Sequence, residues 1–261
     1  MPTRKLVFVA LLLFVPFSDG ISASHVGVPP GARLTRYDGT YTVTQNNAVV
    51  SNLEVHGNIV VEANNVTLRN IKLISNTRWH ALQLSEHAFG FTLEDSEVDG
   101  AGVTVNAVYG FGSFLRNDLH DAENGINVIG PSVIRDNVIH SFRGGADAHY
   151  DGIEINGGYD IDIAGNVITN TRGQTSAVML NNYFSGLSNI TIENNRLVGG
   201  GYTVYLDGRF NGGAVDDGSI RITNNRIGGG VWGSFALYGH QPHMDGNTGL
   251  DDAVTPESPQ N

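Results

Sequence analysis

Ile222-Thr223-Asn224-Asn225-Arg226-Ile227 is the clearest copy of a phrase that recurs along the chain and decides its fold. Earlier copies read Ile192-Glu193-Asn194-Asn195-Arg196-Leu197, Ile163-Ala164-Gly165-Asn166-Val167-Ile168 and Ile134-Arg135-Asp136-Asn137-Val138-Ile139. Looser ones run back through Leu115-Arg116-Asn117-Asp118, Leu93-Glu94-Asp95-Ser96-Glu97-Val98 and Leu68-Arg69-Asn70-Ile71-Lys72-Leu73 to Val50-Ser51-Asn52-Leu53-Glu54-Val55. A phrase returning every ~18 to 30 residues marks one supersecondary unit stacked on its neighbours, which is a solenoid.

Each repeat carries a second apolar segment. Aligned on the final aliphatic residue, these read Leu82-Gln83-Leu84, Asn106-Ala107-Val108, Ile126-Asn127-Val128, Ile153-Glu154-Ile155, Val178-Met179-Leu180, Val204-Tyr205-Leu206 and Phe235-Ala236-Leu237. Their period of two puts the flanking residues inward and the middle one outward. No helical period is sustained beyond the first residues. The predicted fold is all-β, a single-stranded right-handed parallel β-helix of about eight coils with an Asn ladder at one corner, its hand following from the crossover rule. Residues 25–46, with Pro29-Pro30, are expected to cap the stack, residues 47–245 to form the coils, and residues 246–261 to be a disordered tail.

Arg4 and Lys5 precede an apolar run from Leu6 to Phe17 and the small residues Ser22, Ala23 and Ser24, so residues 1–24 read as a secretory signal peptide. That makes the protein secreted or periplasmic. The chain has no cysteine, so neither disulfides nor thiolate metal sites are available to it. With 15 Lys and Arg against 26 Asp and Glu, its net charge of −11 argues against nucleic acid or an anionic membrane as partner. One solenoid domain acting as a monomer is expected.

The polar and aromatic residues of the outward columns concentrate in the coils that hold Asn127, Glu154, Asn156, Asn181, Tyr202 and Asp207. The longest departure from the repeat, Ser141 to Gly152, lies just before Glu154, and loops on rigid scaffolds are where function is placed. His149 and Asp151 in this insert are two residues apart, and His120 and His140 close the two preceding coils. The spacing allows three readings: hydrogen bonds that tie a loop to the sheet, a catalytic or substrate-contacting pair, or a metal site built from His120, His140, His149 and Asp151. Tyr205, Asp207 and Arg209 form a second cluster two coils away.

The Asn ladder with Ala148-His149-Tyr150-Asp151-Gly152-Ile153 and Tyr202-Thr203-Val204-Tyr205 resembles secreted parallel β-helix proteins that act on acidic polysaccharides, nearest to short bacterial β-helix alginate lyases. Asp147-Ala148-His149 is also similar to the Asp-Pro-His element of β-helix mannuronan C5-epimerases. The resemblance implies β-elimination on a uronate polymer, alginate first, with an acidic polysaccharide as partner. It implies that a base abstracts the C5 proton while another group neutralises the uronate. Lys72 stands far from the candidate patch, so the base falls to His149, or to Tyr205 with its pKa lowered by Arg209.

The neutraliser would be Arg209, Arg172 or Arg143, or else Ca²⁺ held by Asp151, Glu154 and Asp207. Arginine is preferred because no compact Asp-x-Asp run occurs, so no cofactor is required although calcium is possible. Epimerisation shares the proton-abstraction step. Tyr150-Asp151-Gly152-Ile153 is similar to the Asn-Thr-Asp-Gly-Ile element of β-helix polygalacturonases, which implies a glycoside hydrolase using Asp151; the acid pair of the next coil is missing. A non-enzymatic carbohydrate-binding or envelope solenoid is the remaining alternative.

Overall fold

The computed structural model describes residues 25–250. The expected signal peptide and residues 251–261 of the expected tail lie outside the described residues. Strands wind into a parallel β-helix with three faces, since strands inside the stack pair in parallel with one a full coil earlier and one a full coil later. Sheet A holds the strands that lead into the asparagine corner, such as Gly158–Ala164, Leu187–Glu193 and Ile220–Thr223. Sheet B holds those that leave it, such as Val138–His140, Val167–Asn170 and Arg196–Gly199. Sheet C carries the second apolar segments, including His80–Leu84, Asp151–Ile155, Ser176–Asn181 and Tyr202–Asp207.

The corner between sheets A and B divides its work between two residues. The first takes the left-handed conformation, with φ of 57° at Asp136, 68° at Gly165, 55° at Asn194 and 55° at Asn224, where Gly, Asn and Asp are tolerated best. Arg116 does the same at φ 56° and is held there by ion pairs to Asp95 and Glu94. The second residue is the ladder: Ser96, Asn117, Asn137, Asn166, Asn195 and Asn225 are buried side chains stacked coil on coil. Asn166 Oδ1 accepts from the N–H and the Nδ2 of Asn137, at 3.0 and 2.9 Å. Its own Nδ2 donates to Ile134 O, Ala164 O and Asn195 Oδ1. Every buried polar group at the corner is therefore partnered across coils, and the interior beside it is filled by Ile134, Ile139, Ile163, Ile168, Ile192 and Leu197.

The stack runs further at both ends than the sequence suggests. Thr35–Val43 lies in the expected cap, yet it pairs in parallel with Val49–Val61 from Thr35↔Leu53 to Val43↔Val61 and is the first rung. Asn247 continues the ladder, donating to Ile222 O and accepting from Asn225, and Thr248–Gly249 pairs with Arg226–Gly228 inside the expected tail. Among the described residues sheet C thus has nine rungs, at 41–43, 59–61, 80–84, 106–110, 124–128, 151–155, 176–181, 202–207 and 233–236.

Removing one amide strands partners in two coils. Asn166→Ala is expected to cost about 3 kcal/mol or more, since each stranded buried group costs about 1–3 kcal/mol. Asn194→Gly, at the left-handed position, should be near neutral. Urea unfolding midpoints of the two variants check this contrast.

Candidate active site

Sheet C presents one outward column in strict register: Gln83, Tyr109, Asn127, Glu154, Met179, Tyr205 and Ala236. One member differs from the sequence reading, in which Ala107 is the outward residue of this coil. In that coil the last inward position is Gly110, paired with Val128, where a Cβ would fall 2.8 Å from Leu84 Cδ1. Aligning on aliphatic residues skipped this glycine and moved the strand by two.

A bend at the leading edge of sheet C adds a second polar column. At Gly125 a Cβ would lie 2.5 Å from Ile139 Cγ2, and at Gly152 it would lie 2.4 Å from Ile168 Cγ2, so both positions face the packed interior. Two successive residues then point inward, and the residue before them turns back toward the outer side. Asn106, Asn124, Asp151 and Ser176 occupy that place. Asn124 donates to Asn106 Oδ1 at 3.2 Å, its Oδ1 accepts from Asp151 N at 3.0 Å, and Ser176 Oγ donates to Asp151 Oδ1.

Glu154 is the centre of the arrangement. Its Oε2 accepts from Asn127 at 2.6 Å and Asn124 at 3.2 Å, and its Oε1 accepts from Asn156 at 2.8 Å. Asn156 is held in turn by Asn181 at 2.6 Å. Burial pushes the Glu154 carboxyl above the usual range; the Asn156 hydrogen bond opposes this, the Glu123 charge adds to it and His149 works against it. Asp151 sits behind at 3% exposure, pushed up to about 8 by burial first and by the Glu154 charge second. Two neighbouring carboxyls with raised pKa values are an arrangement able to hold and pass a proton.

The structure places His149, Asp151 and Glu154 in one coil and Tyr205 two coils on, with His149 acting electrostatically on Glu154 and Asp151 on Tyr205. Asp151 has almost no accessible surface, so it is not placed to meet a polymer, and the Glu154 charge helps to raise its carboxyl. His149 is exposed, and its backbone N–H donates to Glu123 Oε1 at 3.0 Å. Tyr205, expected to ionise under the influence of Arg209, is instead pushed up to about 12 by burial, at 7% exposure. Its hydroxyl accepts from Tyr202 N at 3.3 Å, and Tyr202 packs edge-on against it at 5.5 Å.

Arg209 is not among the groups that chiefly shift Tyr205. It pairs with Asp207 through two contacts of 2.8 and 2.7 Å and lies over the Tyr238 ring at 3.5 Å, which holds Asp207 ionised and below its usual pKa. Arg143 pairs with Asp121 at 3.2 Å, and Lys72 with Glu97 on sheet B at 2.9 Å. Arg172 donates to Phe142 O at 2.9 Å and lies over Tyr150 at 5.2 Å.

The metal set of four expected ligands is not assembled. His120 and His140 stack on each other at 5.3 Å on sheet B, whereas Asp151 belongs to sheet C. Glu97 and Asp121 hold the His120 imidazolium, pushed up to about 9. Among the described residues the atoms that gather within 4.8 Å as a potential cation group are those of Asp99, His120 and Asp121; Asp151, Glu154 and Asp207 form no such group. Glu123 was missed from sequence. Its signal is positional, for it stands one residue before Asn124 as Tyr150 stands before Asp151.

No protein-family profile matches the chain, and no curated protein sequence is significantly similar to it. Three solved structures share its architecture. The A-module of mannuronan C-5 epimerase AlgE6 from Azotobacter vinelandii is 15% identical, with 84% of this chain and 79% of that one covered at a TM-score of 0.38. DFA-IIIase from Arthrobacter chlorophenolicus A6, in complex with GF2, is 13% identical, with 84% and 79% covered at a TM-score of 0.43. Endo-xylogalacturonan hydrolase from Aspergillus tubingensis is 14% identical, with 84% and 63% covered at a TM-score of 0.36. These likenesses are of fold alone.

The raised Asp151 carboxyl couples the site to stability. An unfolded aspartate titrates near ~3.9, so between about pH 4 and pH 8 the folded chain binds a proton that the unfolded chain has lost. Stability from this group is therefore highest below that window and falls as pH rises through it. Asp151→Asn should remove the fall and gain on the parent by about 2 kcal/mol or more between pH 5 and pH 8. Thermal melts at the two pH values check it; parallel behaviour of both proteins would contradict the burial argument.

Proposed function

We propose that this protein is a carbohydrate-active enzyme that cleaves a glycosidic bond by proton transfer from Glu154, acting on a neutral glycan laid over sheet C. The observation that carries the reading is the Glu154 carboxyl itself: half-buried, oriented by three amides, and pushed toward its protonated form with a second raised carboxyl behind it. A carboxylic acid kept neutral is a donor to a leaving glycosidic oxygen. Cleavage also needs a second carboxylate to activate water or attack the sugar. Glu123, whose charge acts on Glu154 and whose Oε1 is fixed by His149 N–H, is assigned that role. This amends the hydrolase alternative that uses Asp151: Asp151 is sealed at 3% exposure, and Glu154 meets the substrate.

The electrostatics favour a neutral glycan over alginate. Glu123 lies on this face, the chain carries a net charge of −11, and Arg209 and Arg143 are already paired with carboxylates. A polyuronate would be repelled, and β-elimination would lack a ready group to neutralise its carboxylate. One observation favours β-elimination or C5-epimerisation as a second reading. His149 is exposed and acts electrostatically on Glu154, so the site contains an imidazole open to a substrate, a side-chain type that serves as a general base.

The test incubates the protein with neutral polysaccharides and with polyuronates, following reducing ends, the ultraviolet absorbance of unsaturated uronates, and the mannuronate-to-guluronate ratio. Reducing ends without absorbance are expected, and Glu154→Gln should lower kcat by roughly 10² to 10⁴. Unsaturated product from alginate would replace this reading with the lyase. No turnover on any polymer, with binding intact, would make the protein a carbohydrate-binding solenoid.

A further inference from the structure

The chain has two tryptophans, Trp79 and Trp232, and both are exposed, at 61% and 59%. They are far apart in sequence but equivalent in the coil. Each directly precedes a strand of sheet C, and the register His80↔Asn106↔Asn124, then Asp151↔Ser176, then Tyr202↔Gly233 puts them in one column along the leading edge. The steps between these segments follow from Ile126↔Ile153 and Val178↔Val204. Glu123 and Tyr150 stand in the same column. Trp79 lies three rungs before the rung of Glu154 and Trp232 three rungs after it, a span of six strand spacings, or about 29 Å.

The space between them is shaped on both sides. From Trp79 to Glu123 runs a cleft of about 940 Å³, walled by the loop of Arg78 and Trp79 on one side and by residues 144–148 of the insert on the other. Beyond Glu154 the edge becomes aromatic. Trp232 lies across Gly201, where a Cβ would fall 2.6 Å from its ring, and packs against Tyr202 at 5.9 Å. The core leaves both indoles exposed, and exposed aromatic surface on a polar edge marks a ligand groove.

We infer that the leading edge of sheet C is one continuous groove for an extended glycan running parallel to the helix axis. Trp79 and Trp232 are its two terminal platforms, stacking on the apolar faces of sugar rings, with Glu154 at its midpoint. The inference rests on the proton-transfer reading of Glu154 for its consequence, which is cleavage inside a polymer and not at its end. A disaccharide is too short to reach either platform from the centre. The groove takes a chain on the order of six sugar units, since a sugar repeat is close to one strand spacing.

Because no other tryptophan exists in the chain, intrinsic fluorescence reads the two platforms directly. The variants E154Q/W79F and E154Q/W232F each leave one reporter on a catalytically silenced chain. They are titrated with cellohexaose, mannohexaose, xylohexaose and hexamannuronate, and with the matching disaccharides. At least one neutral hexasaccharide should shift both reporters while its disaccharide shifts neither. Trp79→Ala or Trp232→Ala in the E154Q chain should weaken hexasaccharide binding by roughly threefold to tenfold by calorimetry. A response at one tryptophan alone, or at both with a disaccharide, would overturn the span.

Wild-type cleavage of the same sugars, read separately, distinguishes this inference from the proposed function. Cleavage with both reporters silent overturns the groove and leaves the chemistry standing. Response at both reporters without cleavage supports the groove and sinks the chemistry. Silence and no cleavage across the panel overturn both.

Discussion

The structure depends on the hydrogen bonds that run from one buried asparagine to the next at the corner of sheets A and B. Each amide accepts from the residue of the previous coil and donates to the next, so a coil cannot slip by one residue without stranding polar groups in the interior. The apolar ladders inside supply the bulk of the stabilisation but are tolerant of register, because isoleucine, leucine and valine repeat at every rung. The asparagines specify which rung meets which. Everything on sheet C inherits its alignment from that constraint, including the placing of Glu154 between Asn127 and Met179 and of the two tryptophans in one column.

The site draws on the same rigidity for a different end. A carboxyl with a raised pKa is a destabilised group, and Asp151 is buried with one of its few partners the hydroxyl of Ser176. The fold tolerates it because the backbone of sheet C is fixed by coils above and below. Small residues make the geometry possible. Gly125 and Gly152 let the chain bend sharply against Ile139 and Ile168, and that bend turns Asn124 and Asp151 toward Glu154. A side chain at either glycine would push the polar column away from the carboxyl it surrounds.

The repeat was legible because its requirements are local. A left-handed position followed by a buried amide leaves Asn-Asn, Asp-Asn or Gly-Asn in the text, and strand alternation leaves aliphatic pairs. Legibility failed where a glycine replaced an aliphatic residue, at Gly110, and where the first rung lacked the phrase, at Thr35–Val43. In the site, the ruler of coils correctly gathered His149, Asp151, Glu154 and Tyr205. It could not show that Arg209 would fold back on Asp207 and Tyr238, since that choice belongs to side-chain geometry. Nor could it show that Asp151 is sealed from solvent, or that Glu123 would lie beside Glu154. Burial is a property of the packed coils, and the sequence around Asp151 reads the same whether it is open or closed.

The central claim is that burial holds Glu154 and Asp151 toward the protonated state, with the charge of Glu154 raising Asp151 further. It is tested most directly by following their side-chain carboxyl carbons by NMR in ¹³C-labelled protein as pH is varied. The account expects Asp151 to titrate near pH 8 and Glu154 above the usual glutamate range, with Asp151 moving down when Glu154→Gln removes the neighbouring charge. Titration of both carboxyls in the ordinary acidic range, with Asp151 unmoved by that substitution, would contradict it.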